Sequence, residues 1–174
     1  ADAEAVVTLN ATSVQVAKEA VREVEAQLRH EYDLSDSDIR LEFEPAEMPS
    51  RVFSELAGKR FTAMTLLMPN GVISWSTHVT DRVASSNNLG TARSIPDGVR
   101  LASTITAAIT SKKHEILQRV RVLADLAGGG VSVEEYGLDA PEFPYRPDSE
   151  LLAVASRVYR EVMGTEPNGE VSQC

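Results

Sequence analysis

The polar segment at residues 85–90, Ser-Ser-Asn-Asn-Leu-Gly, is the part of the chain best suited to bind a ligand. Its two adjacent amide side chains can donate N–H groups to a carboxylate or carbonyl of the ligand. Burying them in a strand without partners would be costly. A β-bulge or turn accounts for the same residues, because asparagine and glycine tolerate left-handed backbone conformations. The residues alone support both interpretations equally.

The three histidines give little support for a metal or catalytic site. His30 and His114 lie on predicted helices with no second ligand three or four residues away, so neither forms a metal-binding pair. His78 precedes Asp81 by three residues, a spacing that suits either a catalytic base or a hydrogen-bonded loop pair. The triple glycine at 128–130 follows a predicted helix, which is the wrong end of the helix dipole for a phosphate. We therefore predict no catalytic and no metal-ligating residue in this chain.

Composition excludes several functional classes. The net charge is −9, from 26 acidic and 17 basic residues, which argues against nucleic acid and against an anionic membrane surface as partners. No apolar run approaches the roughly 20 residues that span a bilayer, and the single cysteine, Cys174, cannot form a disulfide framework. These features favour a cytoplasmic protein. Because the chain starts at Ala1 without methionine and stops without a tail, we expect a piece of a longer protein; a small processed protein is the alternative.

Hydrophobic periodicity predicts the elements that must position the polar segment. Apolar residues at helical spacing place helices at 14–28, 50–68, 111–127 and 149–163. Alternating or β-branched residues place strands at 4–9, 39–44, 83–93, 98–108 and 131–136, whereas 71–82 fits a short strand or a packed loop. Thr12 and Gln15 match a capping box, and Ser50 is the expected cap of the second helix.

The order of these elements predicts an α+β fold, with an antiparallel or mixed sheet and helices packed on one face. Its core is expected to follow the ferredoxin-like β-α-β-β-α-β pattern, with residues 50–68 as a helical insertion. Asp97-Gly98 is a hairpin signal between the strands at 83–93 and 98–108. The length of 174 residues suits a single domain over 1–174.

Four motifs follow one another along the second half of the chain: Pro-Asn-Gly-Val at 69–72, the polar segment at 85–90, Phe-Pro-Tyr-Arg-Pro-Asp-Ser at 143–149 and Tyr-Arg-Glu-Val-Met-Gly-Thr-Glu-Pro at 159–167. Together they resemble the lid, or dimerisation, domain of the aminoacyl-histidine dipeptidases (Xaa-His dipeptidase, peptidase D, carnosinase-like). Members of this family are dizinc metallopeptidases. The resemblance spans residues 66–174.

The resemblance implies a lid and dimerisation domain of a cytosolic, zinc-dependent dipeptidase. Two zinc ions, their ligands and the catalytic glutamate would then belong to a catalytic domain outside this chain. The chain alone would hold no cofactor and hydrolyse nothing. Its implied partners are its own catalytic domain, a second copy in a homodimer and the dipeptide substrate.

Three positions correspond to substrate-contacting residues of the family lid. Asn88 matches the asparagine that contacts the bound dipeptide. The family's arginine on the following strand falls at Thr106, and its histidine near the end of the domain falls at Gln173. Threonine cannot make the bidentate charged contact of arginine to a carboxylate, so these departures bear on substrate specificity. The alternative function is a free-standing α+β ligand-binding or regulatory module without catalytic activity.

Overall fold

A three-stranded antiparallel sheet with helices packed against it confirms the α+β class. The computed structural model describes residues 3–142, 146 and 148–168. Within these residues there are four α-helices and three strands: α1 (Val14–Glu31), α2 (Glu55–Leu67), β1 (Gly71–Trp75), β2 (Val83–Ile95), β3 (Gly98–Ala107), α3 (Thr110–Ala127) and α4 (Glu150–Met163). They divide between two compact units, Ala1–Phe53 and Ser54–Cys174. The single-domain assignment of 1–174 stays a prediction.

The first unit contains α1, and its start differs from the predicted capping box. A short 3₁₀ turn, Ala11–Ser13, precedes the helix, and the Asn10 side chain caps it by accepting from the backbone N–H of Ser13 at 2.9 Å. The Thr12 hydroxyl donates to the same Asn10 oxygen at 2.8 Å. Gln15 donates to Glu19, one turn further on, instead of reaching back. Asparagine caps a helix as well as threonine does, and here Asn10 is the capping residue instead of Thr12.

Residues 4–9, 39–44 and 131–136 form no strand, contrary to the sequence prediction. Strand propensity reflects packing and pairing with a neighbour more than an intrinsic backbone preference. In the described residues the sheet therefore has three strands in the order β1-β2-β3, and the ferredoxin-like arrangement of four strands is not seen.

The second unit begins with α2, which starts later than predicted. The Ser54 hydroxyl, not Ser50, caps it by accepting from the backbone N–H of Ala57 at 3.2 Å. The helix ends at Leu67 and the chain turns through the predicted Pro-Asn-Gly sequence into β1, with Gly71 at a φ of +82°. Glycine adopts that left-handed backbone without steric cost. The ambiguous stretch after residue 71 thus begins as a strand.

The sheet is built around β2, which pairs with both neighbours. The β2–β3 hairpin closes through the two-residue turn Pro96-Asp97, which confirms the predicted hairpin. A bulge interrupts the register between Leu89 and Thr91. Because β1 pairs with β2 only from Val83 to Asn87, the far half of the hairpin extends past β1 as a two-stranded ribbon.

Helix α3 fills the core between the sheet and α2. Its inward face is apolar, as predicted, and Ile116 is completely buried while Val120 and Ala124 lie beside Met64 and Met68. Leu89 and Leu101 approach the same cluster from one face of the sheet. At the far end of α3, the Arg60 guanidinium of α2 donates to the Gly129 carbonyl at 2.7 Å. A cation at this position favourably meets the negative end of the helix dipole.

Residues 131–142 run back along α3 from its C-terminal to its N-terminal end, and we call this segment the strap. Two ion pairs, Arg121 with Glu135 and Lys113 with Asp139, attach it to the helix. At the helix start the Glu142 carboxylate accepts from the backbone N–H of Thr110 at 2.9 Å. Ile109, the residue before the helix, has an apolar side chain that cannot cap. The strap thus supplies the anion that a helix N-terminus favours.

The cap contact makes a prediction for the pH dependence of folding. The hydrogen bonds from Thr110, that of its backbone N–H first, hold the pKa of Glu142 below its ordinary value of 4.5. A lowered carboxyl pKa contributes stability that is present above the unfolded-state pKa and is lost as the pH falls through the folded-state value. Glu142→Gln is therefore expected to destabilise the chain at pH 7 and to differ less from the parent chain at pH 3.

Urea unfolding monitored by circular dichroism at both pH values measures this difference. Glu134→Gln, which neutralises an exposed carboxylate of the same strap, is the matched control and is expected to have no such pH-dependent effect. Equal destabilisation by Glu142→Gln at the two pH values would show that the carboxylate charge does not cap α3.

Helix α4 spans Glu150–Met163, close to the predicted range of 149–163. Gly164 adopts the left-handed conformation, with φ +71°, that typically ends a helix. An apolar stripe along this helix stays exposed, including Leu151, Val158 and Val162. Among the described residues, no helix is both long and apolar enough to cross a membrane.

Candidate functional site

The register of the hairpin puts Asn88 and Thr106 on the same face of the sheet. Asn88 pairs with Thr104, and Ser86 pairs with Thr106 two positions along the ladder. Cross-strand partners share a face, and side chains two residues apart along a strand do so too. We call this surface the polar face; along β2 and β3 it carries Ser86, Asn88, Thr91, Arg93, Arg100, Ala102, Thr104 and Thr106. Asn88 is exposed and Thr106 is half-buried.

The opposite face buries the other two polar groups of the segment. Asn87 is 1% exposed and its Nδ2 donates to the Pro69 carbonyl at 2.6 Å. Ser85 is fully buried, and its hydroxyl shares a hydrogen bond of 2.7 Å with Ser74 on β1. These two residues therefore have a structural role, and Asn88 is the asparagine that a ligand can reach.

Two contacts to the turn after α2 hold the backbone on either side of Asn88. Asn87 donates to Pro69, and the backbone N–H of Leu89 donates to the Asn70 side-chain oxygen at 2.8 Å. The Pro-Asn-Gly motif is thus bound to the polar segment 18 and 19 residues further along the chain. A binding residue held in this way loses little conformational entropy when a ligand arrives.

The bulge at Gly90 also shapes the site. A β-carbon at this position would lie 3.6 Å from the Asn88 amide nitrogen and 4.0 Å from the Ala102 carbonyl oxygen, so the amide packs over the glycine. The bulge interpretation and the ligand-binding interpretation of the polar segment are therefore compatible. The bulge adds one residue to β2. As a result, Thr91 and Arg93 lie on the same face as Asn88 although their positions differ from it by an odd number.

The remaining predicted positions do not assemble into a second site. Gln173, and residues 143–145 and 147 of the third motif, lie outside the described residues. His78 donates its backbone N–H to the Ser76 hydroxyl, and among the described residues its side chain makes no bond to Asp81. The same part of the chain contains no group of three histidine, cysteine, aspartate or glutamate residues that could hold a metal ion.

The electrostatics of the polar face differ from those of the rest of the unit. Carboxyl groups with a lowered pKa, Glu115, Asp139 and Glu142, lie on α3 and the strap, where lysine or a helix N-terminus faces them. The polar face carries no acidic residue in its described positions but has two arginines, Arg93 and Arg100. The sequence analysis did not predict this pair. Arg93 and Arg100 lie equally far from the two-residue turn at 96–97, and this equal spacing is the signal that places them opposite each other in a hairpin.

A flat sheet face with hydroxyl, amide and guanidinium groups, on a domain without a described metal-ligand cluster, can bind and orient a polar ligand. Neither a protein-family model nor a curated protein matches this chain. Among solved structures, the fold of this chain is similar to that of one part of a dipeptidase. One such structure is the aminoacylhistidine dipeptidase from Vibrio alginolyticus, with a TM-score of 0.79 and 24% sequence identity. The match covers 95% of this chain and 33% of that one, so the chain spans about a third of the length of the dipeptidase.

Proposed function

We propose that this chain is the lid and dimerisation domain of a cytosolic, zinc-dependent dipeptidase of the aminoacyl-histidine type. The observation that carries the proposal is the similarity of its fold to one third of such a dipeptidase, over 95% of this chain. The four ordered sequence motifs support it independently of the structure. The proposed partners are a catalytic domain of the same protein, a second copy of the chain and a dipeptide.

In this proposal the polar face closes over the substrate bound at the catalytic domain. Closing such a lid excludes bulk water and completes the binding site. The Asn88 amide then donates to the dipeptide, from a backbone held by the contacts to Pro69 and Asn70. Holding the scissile bond in a reactive geometry is a large part of catalysis by enzymes.

Thr106 lies beside this amide on the same face and offers a neutral hydroxyl. A hydroxyl selects for hydrogen bonding and not for charge, so we propose a substrate preference different from that of family members with arginine there. Gln173 is proposed as a further neutral contact. Two zinc ions, held by the catalytic domain, would supply the activated water, and no described residue of this chain has a role as their ligand.

Turnover by the full-length protein tests the role of Asn88. Asn88→Ala is expected to lower kcat/KM for dipeptides about tenfold to a hundredfold, because one hydrogen bond to the reacting substrate is lost. Gln118→Ala removes an exposed amide from α3, outside the polar face, and is expected to leave turnover unchanged. Unfolding curves of both variants should match the parent, since both side chains are exposed. An Asn88→Ala protein with full turnover would remove this residue from the substrate site.

The lid assignment itself has a separate test. The 174-residue chain, supplied with zinc, is expected to cleave no dipeptide, whereas the full-length protein cleaves them. Dipeptide cleavage by the chain alone contradicts the assignment. Absence of peptidase activity from the full-length protein favours a ligand-binding module that uses the same polar face.

A further inference from the structure

Two arginines face each other on the ribbon that extends beyond β1. Arg93 on β2 pairs directly with Arg100 on β3, and both side chains are exposed. Directly opposed residues in an antiparallel ladder have their β-carbons about 4.5–5.5 Å apart. Two like charges at this distance destabilise the ladder unless something neutralises them.

The described part of the chain does not supply the neutralising charge. Its other exposed arginines include several with a carboxylate partner, such as Arg119 with Glu115 and Arg121 with Glu135. No carboxylate among the described residues pairs with Arg93 or Arg100. The chain has 26 acidic residues, yet none of them lies on the polar face along β2 and β3. This surface is therefore electropositive on an acidic protein.

We propose that Arg93 and Arg100 form an oxyanion site, which binds a phosphate or carboxylate group of a ligand between the two guanidinium groups. Each planar guanidinium can donate two parallel N–H groups to one oxyanion. The Thr91 hydroxyl lies on the same face, opposite Ala102 and two residues from Arg93, and provides a further donor. The bound anion replaces a repulsive contact with two attractive ones.

The oxyanion site is separate from the proposed dipeptide contact. The Arg93–Arg100 pair lies four residues along β3 from the Asn88–Thr104 pair, a distance of roughly 13 Å at the usual rise of a strand. The oxyanion site is inferred from the arginine pair alone, so it does not rest on the proposed function.

Titration of the 174-residue chain with inorganic phosphate tests the site. Amide chemical shifts in NMR spectra, recorded at pH 7 with sodium chloride keeping the ionic strength constant, report binding residue by residue. We expect saturable shifts confined to the ribbon around residues 91–93 and 100–102. Arg93→Gln and Arg100→Gln are each expected to weaken phosphate binding about tenfold. Arg22→Gln, which removes an exposed arginine from α1, is the matched control and should leave it unchanged.

A parallel titration with acetate distinguishes the two sources of the oxyanion. Tighter saturation by phosphate identifies a phosphate-bearing ligand, and tighter saturation by acetate identifies a carboxylate ligand. Arg93→Lys keeps the charge but loses the planar fork, so it should bind more weakly than the parent chain and more tightly than Arg93→Gln. Shifts that do not saturate with either anion, or that respond equally in Arg93→Gln and Arg22→Gln, would overturn the proposal.

The melting temperatures of the arginine variants test whether the two arginines repel each other. Because each glutamine variant removes half of a like-charge pair, its melting temperature in chloride should equal or exceed that of the parent chain. A melting temperature that falls in Arg93→Gln but not in Arg93→Lys would contradict a repulsive pair and, with it, the need for a bound anion.

Discussion

Asn87→Asp is expected to lower the free energy of unfolding of the Ser54–Cys174 unit by about 4 kcal/mol at pH 7. Asn87 is 1% exposed, and its Nδ2 donates to the Pro69 carbonyl at 2.6 Å. The substitution keeps the shape of the side chain but replaces the donor with a carboxylate oxygen. A buried negative charge would then face a carbonyl oxygen with no cation described nearby.

The destabilisation caused by Asn87→Asp should increase with pH. Burial raises the pKa of the new carboxyl group above its unfolded value of about 3.9. Below the unfolded value both states are protonated, and the protonated carboxyl can donate to Pro69 again. The stability lost relative to the parent chain is therefore small near pH 3 and grows as the pH rises through the folded-state pKa.

Urea unfolding at pH 3 and pH 7 measures both effects. Asn88→Asp, the same change at the exposed neighbouring residue, is the matched control and is expected to alter stability by less than about 0.5 kcal/mol. A larger destabilisation by Asn88→Asp than by Asn87→Asp would mean that β2 presents the other face to the core. That outcome would also remove Asn88 from the polar face.

Ile116→Ala is expected to cost about 3 kcal/mol of unfolding free energy, close to the value for Asn87→Asp. Ile116 is 0% exposed on α3, the helix that contacts both the sheet and α2. Truncating a buried isoleucine loses its transfer free energy and leaves a cavity that the surroundings fill only in part. Helix α3 packs on the face of the sheet opposite to Asn88. We therefore expect the loss of packing at Ile116 to destabilise the strand that positions Asn88.

Val122→Ala on the same helix is the control, since its side chain is 45% exposed. Its expected cost is below about 1 kcal/mol. Thermal and urea unfolding of both variants at pH 7 compare the two positions directly. A small effect at Ile116 would indicate that α3 does not pack on the sheet as the structure shows.

Together these tests distinguish residues of the sheet and of α3 that act on folding from residues that act on function. Asn87 and Ile116 are expected to act on stability, whereas the roles of Asn88 in substrate turnover and of Arg93 with Arg100 in anion binding are proposals. A variant that changes one quantity and leaves the others intact supports the assignment of that residue. The polar face then combines a neutral amide contact, proposed for a dipeptide, with an oxyanion site further along the same ribbon.

Local signals predicted the elements that depend on local interactions. The sequence shows the apolar periodicity of α3 and α4 and the turn of the β2–β3 hairpin, because a helix or a hairpin forms between residues close in sequence. Those signals, with the α+β order of elements, determined the class of the fold. They also identified the polar segment as unusual, because four polar residues in a strand cannot all face water.

Only the tertiary structure decided what depends on distant partners. The segments 4–9, 39–44 and 131–136 have strand composition but form no ladder, since a strand exists only with a neighbour to pair with. Alternation along β2 requires one of two adjacent asparagines to be buried, yet the choice of Asn87 follows from the Pro69 carbonyl 18 residues away. The bulge at Gly90 shifts the register and thereby places Arg93 opposite Arg100 on the face of Asn88. Sequence determined which residues could do chemistry, and pairing across strands decided which of them meet.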